Sequence, residues 1–143
     1  MEKIILFASD QWLLVSLLAA AVWALFWLDL KQAGNRISAN QLTSMVNRQS
    51  AVVVDLREKA EYDVGHIVDA ANVPFGQWQL QKGEAADQLF KAYFNKPLIL
   101  VCKMGQQSSQ VAKKIDQSKF NGVYRLAGGI AEWQAAQLPL VKS

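Results

Sequence analysis

The stretch VCKMGQQSS, residues 101–109, holds the only cysteine of the 143-residue chain. It follows the apolar run PLIL and leads into SSQVAKKIDQ, where Val111 and Ile115 share one helix face. Cys102 therefore falls between a strand end and a helix start. In such a turn, successive backbone N–H groups of Lys103, Met104, Gly105, Gln106, Gln107 and Ser108 can point inward and form an anion-binding nest. The helix behind, with Ser108 as its predicted N-cap, adds unpaired amides and the positive end of its dipole. Gly105 permits a backbone conformation that other residues resist, and Lys103 brings a cation. Each effect favours thiolate over thiol, and the thiolate is the nucleophile. The same cradle suits a persulfide, Cys–S–S⁻, and the transition state in which charge spreads as the outer sulfur is passed on. The plainer reading, a small buried hydrophobe, also fits a lone cysteine.

The elements around the loop set its position. AVVVDL (51–56) and PLILVC (97–102) are apolar and continuous, as strands buried on both faces are, and GVYRL supplies a third. ISANQLTSMVNR reads as a helix with Ser38 as N-cap and Gln41 in capping-box position. EKAEYDV predicts a short helix stopped by Gly65, and AANVPF a short strand ending at Pro74. GEAADQLFKAYF has helical spacing at Leu89, Phe90 and Phe94. IAEWQAA predicts a closing helix after Gly128–Gly129, stopped by Pro139. Strands alternating with helices predict an α/β domain with a central, mainly parallel sheet flanked by helices. Asp55 and Cys102 then lie on the same sheet edge, beyond the carboxyl ends of the strands.

The chain begins differently. Gln11–Leu28 is an 18-residue uncharged run with tryptophans at both ends, about 27 Å long as a helix, enough to cross a bilayer. It is apolar on all faces, starts after MEK rather than a basic region, and lacks a clear small-residue cleavage site, which argues against a signal peptide. A buried core helix is the other alternative. The expected organisation is an anchor over residues 1–30 (span about 11–28), a linker over 31–36, and one domain over 37–143. Lys31, Arg36 and Arg48 follow the span, and only Lys3 and the amino terminus precede it. The positive-inside tendency then places the domain in the cytoplasm, on a single-pass helix in the inner (plasma) membrane. The formal charge of +3 is scattered, without a basic cluster interleaved with aromatics, so no nucleic-acid partner is expected. One cysteine and one histidine supply neither an internal disulfide nor a closed zinc set, and no metal or dissociable cofactor is expected.

Four segments in order resemble the rhodanese family of sulfurtransferases over residues 36–142. These are ISANQL, VVDLREKAEYDVGHIVDAANVP, the loop VCKMGQQSS with its C-x-x-G-x-x-S spacing, and LAGGIAEW. The resemblance implies a rhodanese α/β fold for this part of the chain, which here follows the apolar helix read from hydropathy. It implies that Cys102 takes sulfane sulfur from thiosulfate, or from a protein or low-molecular-weight persulfide, and hands it to a thiol or to cyanide. The six-residue loop also fits the sulfur-transfer branch rather than the related Cdc25-like phosphatases, whose longer loop closes with Arg. Gln107 stands where many members carry Arg, which puts affinity for thiosulfate in question. Asp55 and Arg57 are candidate supports of the site, or structural partners. His66, in GHI, is expected to be a structural hydrogen-bonding residue and Trp133 a packing residue. Trp78 could rim the site or meet a partner. The rival to catalysis is a membrane-tethered module that uses the same scaffold to dock other membrane proteins.

Overall fold

A computed structural model describes residues 1–142, with side chains at all of these but Lys31 and Gln32. Ser143, the last residue of the expected domain, lies outside the described residues. The chain divides into two compact units, residues 1–32 and 33–143.

The first unit consists of two successive helices. Helix α1 (Glu2–Asp10) gives way at Gln11 to α2 (Trp12–Gln32). Trp12–Leu30 is long and apolar enough to cross a membrane by length and composition, and none of it is buried.

The second unit is built on five strands: β1 (Asn35–Ile37), β2 (Val52–Asp55), β3 (Ala71–Asn72), β4 (Leu98–Val101) and β5 (Val123–Leu126). They form one sheet in the order β1-β5-β4-β2-β3, with every pairing parallel. Parallel strands need crossovers, and helices fill them: α3 (Ala39–Gln49), α4 (Lys59–Val64), α5 (Phe75–Leu80), α6 (Glu84–Gln88) and α7 (Gln106–Lys114), while α8 (Gly129–Ala135) follows the last strand. All of β4 is buried, as its unbroken apolar run requires. Alternate residues feed two cores. Leu98 and Leu100 join Val54, Phe90, Val111 and Cys102 on one face, and Ile99 and Val101 join Leu42, Val53, Leu126 and Trp133 on the other.

Several boundaries differ from expectation. Asn35 and Arg36, expected within a linker, belong to β1 and pair with β5. Three residues of which only Ile37 is buried leave too little apolar pattern to mark a strand. GEAADQLFKAYF is not one helix. After α6 the amides of Phe90 and Tyr93 bond three residues back, and the tighter winding sets the rings of Phe90 and Phe94 edge-on to Phe120. Helix α7 starts at Gln106, capped by Gly105 at φ +99°, so Ser108 is a first-turn residue and not the N-cap. Gly65 does end α4, but in extended backbone (φ 178°) rather than left-handed. The capping box of Ser38 and Gln41 forms as predicted.

Candidate active site

Cys102 follows the last residue of the central strand β4. Its neighbour Val101 is paired in register with Asp55 at the end of β2, so both candidate residues stand on one sheet edge. The turn from strand to helix is four residues long, Cys102 to Gly105. The amide of Gly105 donates to Cys102 Sγ at 2.9 Å, and the amide of Ser108, one turn into α7, approaches it at 3.5 Å. The Ser108 hydroxyl lies 3.6 Å from Sγ and donates to the Gly105 carbonyl at 3.0 Å, bracing the turn. Two main-chain donors and the positive end of a helix thus converge on one sulfur. Of the six amides expected to form the nest, these two reach Sγ.

The loop's outer side is clamped by α8. The amides of Ile130 and Ala131 donate to the carbonyls of Cys102 (2.8 Å) and Lys103 (3.1 Å). This fixes those two peptide planes with their carbonyls turned toward α8. Gly129 makes the approach possible: a Cβ there would lie 2.2 Å from the Cys102 carbonyl oxygen. Gly128 and Gly129 both take positive φ (+73° and +61°) in the turn into α8, and the bare backbone of Gly129 serves the cysteine loop as well. Only the packing of two sequence-distant segments could reveal this.

Cys102 is 1 % exposed and packs in the core, but it is not closed off. It lines a cleft of 330 Å³ together with Arg57, Glu58, Glu61, Lys103, Met104, Gln106 and Gln107. Met104 is 67 % exposed at the loop tip. Two cations and two carboxylates share this rim, and Gln107 adds no charge.

Asp55 and Arg57 are buried partners of each other. Arg57 Nε and Nη2 donate to the Asp55 carboxylate at 2.9–3.2 Å, the Arg57 amide donates to Oδ1 at 2.9 Å, and Nη2 also bonds the Gly65 carbonyl. Asn72 Nδ2 bonds the carbonyls of Asp55 (3.0 Å) and Arg57 (2.9 Å). The pair holds the β2–α4 turn in shape, and Arg57 forms one wall of the cleft.

His66 is structural. Its ring stacks on Tyr62 at 3.9 Å, its Nδ1 lies 2.9 Å from the Tyr62 carbonyl, and its backbone bridges to Val141. Tyr62 in turn donates its hydroxyl to the Ala70 carbonyl. Burial, and next the nearby charge of Asp55, raise the Tyr62 pKa. Trp133 is buried and donates to the Pro139 carbonyl at 3.1 Å. Trp78 is a core residue and does not line the Cys102 cleft. Among the described residues no cluster of three or more His, Cys, Asp or Glu side chains could hold a metal ion.

A five-stranded parallel sheet that delivers a cysteine from its central strand into a helix-capping amide nest defines a rhodanese-type α/β domain. Comparison agrees, since the rhodanese-like domain model matches residues 38–136. The chain belongs to the rhodanese-like domain family. It is 31 % identical over 107 residues to a tRNA uridine(34) hydroxylase of Buchnera aphidicola subsp. Baizongia pistaciae, covering 75 % of this chain and 34 % of that protein. The chain thus spans about a third of the length of that relative. It is 30 % identical over 144 residues to an uncharacterized protein of Buchnera aphidicola subsp. Acyrthosiphon pisum, covering 99 % and 97 % of the two chains. A rhodanese-related protein from Thermoplasma volcanium shares the fold with a TM-score of 0.58 at 22 % identity, covering 76 % of this chain and 99 % of the other. A thiosulfate sulfurtransferase from Pseudomonas aeruginosa does so at 0.57 and 22 %, covering 77 % of this chain and 20 % of that one.

Proposed function

We propose that this protein is a single-domain sulfurtransferase tethered to the inner membrane by α2, with its domain in the cytoplasm and Cys102 as carrier of the sulfur. One observation carries the reading: Cys102 Sγ accepts main-chain hydrogen bonds from Gly105 and Ser108 at the start of α7. Main-chain donors so placed are suited to hydrogen-bond a sulfur anion carried at Cys102. With thiosulfate, the thiolate attacks the sulfane sulfur, a Cys–S bond forms, and sulfite leaves with the electrons of the broken S–S bond. The mixed charge of the rim and the uncharged Gln107 favour a persulfide donor over this dianion. The product, Cys102–S–S⁻, keeps its charge in reach of the same amides. A thiol or cyanide then removes the outer sulfur. No cofactor beyond the covalent persulfide enters the scheme.

The test is mass spectrometry of the full chain in detergent after exposure to thiosulfate or to a low-molecular-weight persulfide. The expected result is the mass of one sulfur atom added at Cys102, and reversal by cyanide. An unmodified Cys102 under both donors would sink the reading.

The near-complete burial of Cys102 favours one second reading, a domain that docks other membrane proteins without chemistry. A Cys102→Ser strain with full biological function would select it.

A further inference from the structure

Arg36 of β1 and Arg125 of β5 are register partners on adjacent parallel strands. The residues that follow them, Ile37 and Leu126, are buried in the same core. Strand alternation therefore turns both arginines to the opposite face, where α7 packs. There they line a cleft of 420 Å³ with Met104, Gly105, Gln106 and Ser109.

This cleft is short of negative charge. Among the described residues no carboxylate forms an ion pair with either guanidinium. Glu132 lines a neighbouring cleft with Arg36 but makes no bridge to it. Nε of Arg125 is buried and has no hydrogen-bond partner. Burial first, and the adjacent Arg36 second, press Arg125 toward losing its charge, whereas Cys102 supports it. Two like charges with an unfilled buried donor are costly, and an anion between them removes both costs.

The two clefts adjoin, because Met104 and Gln106 line both the arginine cleft and the Cys102 cleft. A ligand that uses both has to reach from the arginines to Cys102. A molecule that can do so carries its charge and its sulfur on a short organic spacer. Planar guanidinium forks match carboxylates in geometry.

We propose that Arg36 and Arg125 form a binding site for the carboxylate end of a small thiol, and that this thiol accepts the sulfur carried by Cys102. The inference rests on the persulfide reading for its chemistry, though not for the binding site. The acceptor thiol gives its proton to solvent and attacks the outer sulfur of the Cys102 persulfide. The new S–S bond forms as the Cys102 S–S bond breaks. Cys102 leaves with the electron pair as thiolate, and the acceptor departs as a persulfide.

Two measurements on the full chain in detergent micelles test this. In the first, the Cys102 persulfide is discharged with mercaptosuccinate, a dianion, or with neutral 2-mercaptoethanol, and the ratio of the two efficiencies is read. The expected ratio favours mercaptosuccinate by about tenfold or more, falls toward one in Arg36→Gln and Arg125→Gln, and is partly kept in Arg125→Lys. Added salt should also lower it. An equal ratio in wild type and variants overturns the proposal. In the second, succinate is titrated into Cys102→Ser and followed by NMR at the Gly105 amide. Saturable binding that Arg36→Gln abolishes supports the site, and no saturable binding overturns it. If no persulfide ever forms while succinate still binds through the arginines, the sulfurtransferase reading falls and the carboxylate site stands.

Discussion

The amide of Gly105 lies 2.9 Å from the sulfur of Cys102, and that sulfur sits on the floor of a cleft with only 1 % of its residue exposed. A nucleophile so placed meets small molecules and turns away large ones. Relative to free cysteine, labelling of Cys102 should therefore be slowed far more for the bulky aromatic disulfide DTNB than for methyl methanethiosulfonate. Equal slowing of the two reagents, followed by mass, would show an open thiol instead.

Ser108 touches the site twice, through its amide and through its hydroxyl. Ser108→Ala keeps the amide and removes the hydroxyl that braces the Gly105 carbonyl. The expected cost is about 1 kcal/mol of stability in urea unfolding. Persulfide formation should slow but persist, because the main-chain donors remain. Complete loss of sulfur uptake would mean that the hydroxyl, not the amides, holds the anion.

Gly129→Ala strikes the loop from the other side. The residue has φ +61°, and its new Cβ would collide with the Cys102 carbonyl oxygen. Backbone strain alone costs about 1–3 kcal/mol, and the collision adds to it. Amide hydrogen exchange should show faster opening at Gly105 and Ser108 than at β4. Unchanged exchange at those two amides would refute the clamp.

Asp55→Ala leaves the Arg57 guanidinium buried without its carboxylate. Breaking a buried pair from one side costs about 3–5 kcal/mol. The loss should appear in the urea midpoint and should exceed that of Asp55→Asn, which keeps an acceptor oxygen. A loss near zero would place the pair outside the framework of the β2–α4 turn.

Tyr62 offers a test in pH. Its folded pKa is raised, chiefly by burial, so its contribution is present below the unfolded pKa and fades as pH rises through the folded value. At neutral pH, Tyr62→Phe should be less stable by about 1 kcal/mol, the worth of its bond to the Ala70 carbonyl. The gap should narrow in the alkaline range where tyrosine ionises. A gap that widens there would reverse the assignment.

Much of this was legible in the residues themselves. The buried strands announced themselves by continuous β-branched and aliphatic runs, and β2 and β4 fall one residue inside each predicted end. The Ser38–Gln41 box marked its helix because capping is local chemistry. What escaped depended on distance in sequence. Strand β1 exists because β5 pairs with it, and its own three residues carry little signal. The start of α7 at Gln106, capped by Gly105, hides behind a serine pair that looks like a cap. The purpose of Gly129 lies at Cys102, 27 residues away, and the pairing of Arg36 with Arg125 spans nearly the whole domain.

The groups that hold the sulfur belong to the main chain, which every amino acid except proline supplies alike. Lys103, Met104, Gln106 and Gln107 can therefore be exchanged among non-proline residues with little penalty to the anion's seat. On the sulfurtransferase reading, the seat of the anion and the surface that meets its partners are thus separable, and a few exposed side chains can change without disturbing the main chain beneath them.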